Sequence, residues 1–96
     1  MIKNISEKMG YSINPSESII NTLGYTALYM NNLPLAEYFF NLNVNNYPNS
    51  FNVYDSMGDY YLSVNNNEQA IYMFIKSLSI YENFETRKKL ESIKKE

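Results

Sequence analysis

The chain has 96 residues, 45% of them hydrophobic and 16% aromatic, with a formal net charge of −2, which predicts one small folded domain near the lower size limit of a self-sufficient core. With no Cys and no His, the sequence excludes disulfides, thiolate metal sites, Cys nucleophiles and Ser-His triads, and it lacks the commonest general base and metal ligand. The acidic balance gives no general attraction for a nucleic-acid backbone, and no run is apolar and long enough for a signal peptide or a membrane span.

A lead-in of residues 1–15 holds a short helical stretch, Ile2–Met9, that ends at Gly10. The phrase Pro15-Ser16-Glu17-Ser18 is a helix start with Asn14 or Ser16 as cap. Ile19, Ile20, Leu23, Ala27, Leu28 and Met30 then recur at helical spacing until Asn31-Asn32 interrupts them. Pro34 opens a second helix with Leu35, Ala36, Phe39, Phe40 and Val44 as its apolar stripe, and Tyr47-Pro48-Asn49-Ser50 closes it. Val53, Tyr54, Met57, Tyr61, Leu62 and Val64 make a third stripe, broken at Asn65-Asn66-Asn67. A fourth carries Ala70, Ile71, Phe74, Leu78 and Ile80. Past Asn83 a fifth helix is predicted, with Phe84, Leu90 and Ile93 on one side and the ion-pair spacings Glu85 to Lys89 and Glu91 to Lys95 on the other.

The elements repeat. Laid over itself so that Gly24 meets Gly58, the sequence also brings Asn31-Asn32 onto Asn65-Asn66, Ala36 onto Ala70, Tyr38 onto Tyr72 and Phe40 onto Phe74. A fixed period of this size marks stacked supersecondary units. A glycine inside a helix costs roughly 1 kcal/mol relative to alanine, so its return at the same phase predicts a close helix approach. Ala36 and Ala70 are the expected opposing residues, with Phe40 and Phe74 filling the space around them. The predicted architecture is all-α: unit one over 16–49, unit two over 50–83 and a capping helix over 84–96, in one domain.

Leu23-Gly24, Met57-Gly58, Tyr61, Ala36, Ala70, Phe40, Phe74 and Pro48 resemble the pattern of the tetratricopeptide repeat, a helix–turn–helix unit. Tyr54 stands where that family often has Trp, Leu or Tyr. Ala27 replaces its usual aromatic, Asn43 and Ser77 its usual Ala, and Glu82 its second closing Pro. The resemblance implies a right-handed solenoid of two stacked antiparallel hairpins and a non-catalytic interaction module. Its groove or end surfaces would bind a protein, a peptide or another copy of the chain, with no cofactor, metal, nucleic acid or membrane involved. The stretch LNVNNYPNSFNVYDSMGDYYL, with the lead-in SEKMGYSINPSESIINTLGY, also resembles the helical tail of bacterial esterase-type serine hydrolases. That alternative implies a catalytic domain in cis, outside this chain. The protein would then be exported, rather than cytoplasmic as expected if Met1 is the true start.

The repeat's geometry projects Asn21, Tyr25, Tyr29, Asp55, Asp59 and Ser63 toward the groove, which suits a Lys- or Arg-bearing segment. The same residues also suit an ordinary solvated face. Asp55 and Asp59 could in principle divide acid and base roles, but nothing in the pattern buries them or adds a third oxygen ligand. Asn43, on an inner face, is expected to bond across to the start of the third helix near Tyr54 or Asp55, because a buried amide without partners costs roughly 1–3 kcal/mol. The cations Arg87, Lys88, Lys89, Lys94 and Lys95 fit a solvated capping helix better than a nucleic-acid surface.

Overall fold

Capping chemistry sets the helix boundaries. In a computed structural model that describes residues 15–94, five helices form: α1 (Glu17–Tyr29), α2 (Leu33–Asn46), α3 (Phe51–Ser63), α4 (Asn67–Ile80) and α5 (Phe84–Lys94). No strand occurs among the described residues. The predicted Ile2–Met9 helix and Lys95 lie outside them. The Ser16 side chain accepts from the Ile19 amide at 3.2 Å, Asn32 from Leu35, Asn66 from Gln69 and Asn83 from Thr86, so each satisfies one of the donors that a helix start leaves free.

The recurring Asn-Asn doublet has a divided job. Asn31 and Asn65 adopt φ of 60° and 63°, the left-handed conformation that Asn tolerates better than most residues. The following Asn amide then bonds back to the helix just ended, Asn32 to the Ala27 carbonyl at 2.8 Å and Asn66 to that of Tyr61 at 2.9 Å, closing the helix end in Schellman fashion. The same Asn caps the next helix. One residue turns the chain and its neighbour starts it again.

Within each pair the helices run antiparallel, since Asn43 near the end of α2 touches Glu17 at the start of α1. The glycines explain how they close. A Cβ built on Gly24 would sit 2.5 Å from Phe40 Cε1, and one on Gly58 would sit 2.6 Å from Phe74 Cδ1. The rings, rather than Ala36 and Ala70, occupy the space over the glycines. Ala36, Ala70, Phe40 and Phe74 are all fully buried. One cluster joins Ala27, Ala36 and Phe40 to Met57 and Tyr60, and a second joins Ala70 and Phe74 to Leu90. Contacts run α1 to α2, α2 to α3, α3 to α4 and α4 to α5, with α1 also touching α3.

Not every predicted stripe is covered. Val53 and Met57 are 1% and 2% exposed, whereas their counterparts in the first unit, Ile19 and Leu23, are 56% and 41% exposed. Val53 and Met57 belong to a helix that packs on α2, and nothing described precedes α1. Met30, Leu35 and Ile80 are also exposed. Phe84, expected to face inward with Leu90 and Ile93, is instead 73% exposed, and only Leu90 of the three is buried.

The small residue of the first two units does not recur on α5. Continuing the register of the repeat puts Ser92 where Gly58 stands and Lys88 where Tyr54 stands. A ring seated as Phe74 is would collide with any side chain at that place. No described helix is long and apolar enough to cross a membrane.

Candidate functional site

The six groove residues of the sequence reading fall on α1 and α3, and most are tied to a neighbouring helix. Tyr25 donates its phenolic hydrogen to Asp59 Oδ2 across α1 and α3. Ser56, buried on α3, donates to Asn21 Oδ1. Ser63 donates back to the Asp59 carbonyl at 3.1 Å. Tyr29 stands apart: it is 83% exposed, with its ring centroid 6.3 Å from that of Tyr25.

Asp55 and Asp59 meet a cation from the chain itself. Lys89 Nζ lies 2.9 Å from Asp55 Oδ2 and 3.0 Å from Asp59 Oδ2. The buried Thr86 hydroxyl donates to Asp55 Oδ1 at 2.7 Å. The expected pairing of Glu85 with Lys89 is therefore replaced by a longer-range one, because two partly buried carboxylates outcompete one exposed carboxylate for the ammonium. Burial alone pushes the Lys89 ammonium down; the hydrogen bond and charge of Asp55, with those of Asp59, outweigh it and leave the net shift upward. Burial pushes the Tyr25 phenol well above its ordinary value, and the Asp59 carboxylate pushes it further.

Asn43 is buried, but it does not reach α3. Its Nδ2 donates to the Glu17 carbonyl at 3.0 Å, at the start of its own partner helix, and its Oδ1 has no partner. At the matching place in the second unit, Ser77 donates to the Phe51 carbonyl at 2.8 Å. Both units thus clamp the first turn of one helix with a small polar residue near the end of the other. Around the same joint, Ser50 donates to Glu17 Oε2 at 2.7 Å and Tyr47 to the Pro15 carbonyl at 2.9 Å. The buried Tyr54 donates to the Pro48 carbonyl at 2.7 Å, fixing α3 to the turn before it.

Thr86, Lys89, Ser56 and Ser77 escape a reading of the sequence for site residues, yet one signal points to Lys89. The step along the chain that carries Asn21 onto Asp55 carries Asp55 onto Lys89, which gives α5 the register of a unit's first helix. Ser56 and Ser77 carry no such signal, because a small hydroxyl on a helix looks the same whether buried or wet.

Among the described residues no group of three or more carboxylates gathers in a way that could hold a metal ion. The polar face spends its hydrogen-bonding capacity mainly on helix-to-helix ties, and the exposed Ile19–Leu23 stripe of α1 is left without a described neighbour. Fold and site together define an all-helical protein of stacked hairpins whose inner polar face is tied up between helices and whose α1 stripe has no neighbour among the described residues. No family model matches the chain, and neither a curated protein nor a solved structure matches it.

Proposed function

We propose that this chain is a non-catalytic docking module of the tetratricopeptide type, whose groove or end surfaces bind a partner protein, a peptide segment or a second copy. The observation that carries the proposal is the contrast between Ile19 and Leu23 at 56% and 41% exposure and Val53 and Met57 at 1% and 2%. The same pattern of side chains is covered by a helix in one unit and open in the other. Covering both would remove on the order of 100 Å² of apolar surface from water, worth about 2–3 kcal/mol at roughly 25 cal/mol per Å².

Leu23→Glu tests the proposal. A docking face tolerates the charge in the isolated chain, so the melting temperature stays within a few degrees while association with the partner or second copy is lost. A collapse of the fold with Leu23→Glu, or association that survives it, contradicts a docking role for this face.

A second reading has the same face supporting it. The stripe lies on the first described helix, which follows in sequence the lead-in through which an upstream domain would join. In this reading the chain is the helical tail of an esterase-type serine hydrolase, and the occupant of the face is that catalytic domain.

A further inference from the structure

Asp55 and Asp59 lie four residues apart and share one side of α3, and α5 supplies most of what satisfies them. Lys89 bridges the two carboxylates at 2.9 and 3.0 Å, and Thr86 takes the remaining Asp55 oxygen. Beside them Leu90, 2% exposed, packs on Ala70 and Phe74. It is the one fully buried apolar side chain of α5 among the described residues. Phe84 adds little, being mostly in solvent, and only Tyr81–Asn83 joins α5 to α4. The helix is thus held by few groups: one ammonium between two acids, one hydroxyl on an acid, and Leu90 with the partly buried Ile93 on the Ala70–Phe74 cluster.

We propose that α5 is the internal occupant of an acceptor surface on α3 and α4, and that the partner segment is a helix with the same Thr-x-x-Lys-Leu spacing that takes its place. The inference rests on the docking reading above and assigns a chemistry to the groove side of that module. The acids explain why the occupant must be cationic, since without Lys89 two half-buried carboxylates would face each other unneutralised. The short tether explains why α5 holds the surface by default, because a tethered occupant acts at high effective concentration. A partner segment must therefore carry contacts beyond these three residues, or meet a chain in which α5 has been loosened.

The test uses the full chain and a fluorescein-labelled synthetic peptide with the sequence of residues 82–94, read by anisotropy. Full-length Lys89→Ala is expected to bind the probe at least about tenfold more tightly than the wild-type chain, because apparent affinity scales with the fraction of molecules whose surface is free. Lys89→Arg keeps the charge and is expected to stay near wild type. A probe with its own lysine at position 89 changed to alanine is expected not to bind, and circular dichroism checks that each variant stays helical. If Lys89→Ala loses its helicity, Thr86→Val provides the loosened chain. Equal binding of the two probes, or no gain in any loosened chain, overturns the proposal. In that event, a partner captured at Leu23 leaves the docking reading standing, whereas failure there too removes both.

Discussion

Gly58→Ala puts the closing of the second helical pair to a test in which two effects oppose each other. In a solvated helix the change stabilises, by about 1 kcal/mol in helix propensity. Here the new methyl group would sit 2.6 Å from Phe74 Cδ1 and Cζ. An ordinary carbon contact is about 3.5–4.0 Å, so ring or helix must retreat by about 1 Å. The ring has nowhere to go, since Phe74 and Ala70 are both fully buried. Overpacking of this kind costs about 1–3 kcal/mol, and the severity of the collision places Gly58→Ala in the upper half of that range. The net expectation is a loss of about 1–2 kcal/mol, or roughly 4–16 °C in melting temperature for a domain of this size. Thermal and urea melts followed by circular dichroism measure it. Phe74→Leu frees volume over residue 58, so the double variant should lose less than the sum of the two single losses. A Gly58→Ala chain that melts higher than wild type would refute the reasoning, and would mean that the glycine is kept for something other than the ring above it.

Asn43→Ser should be tolerated within about 1 kcal/mol, because Ser77 already makes the equivalent bond to a first-turn carbonyl and the unpartnered Oδ1 of Asn43 disappears; a urea melt checks this. Lys89→Met should cost about 1–3 kcal/mol by leaving Asp55 and Asp59 facing each other without a cation, and a rise in stability would contradict the bridging role. Tyr25 and Lys89 both have folded-state pKa values raised above the unfolded ones. Their contribution is therefore fully present below about pH 10 and is lost as pH rises through the folded values. Ultraviolet titration should show a late-ionising tyrosine that is absent in Tyr25→Phe and that joins the others on unfolding.

The helices are legible in the sequence because their signals are local. Ser16, Asn32, Asn66 and Asn83 cap, and the repeat places Gly24 and Gly58 at one phase. The unread part is what local signals cannot carry. Helical spacing says that Ile19 and Leu23 share a side with Ile20, but not whether a helix lies over that side, so an open stripe and a covered one read alike. Charges are harder still. The expected Glu85–Lys89 pair obeys the four-residue rule, yet Lys89 crosses to Asp55 and Asp59, far back along the chain on α3. Asn43 sits on the inner face its position implies but bonds a different partner, because a buried amide can turn toward either neighbouring helix.

The docking role of the α1 stripe is tested most directly by a photo-crosslinking amino acid at Leu23 in the full chain, irradiated in an extract of its source cells. A matched probe at the exposed Lys76 serves as control. The docking role predicts a discrete intermolecular adduct at Leu23 and none at Lys76, with the adduct's mass showing whether the occupant is a second copy, a hydrolase domain or another protein. Crosslinking confined to the chain's own residues 1–14, or no adduct above the Lys76 control, would contradict it.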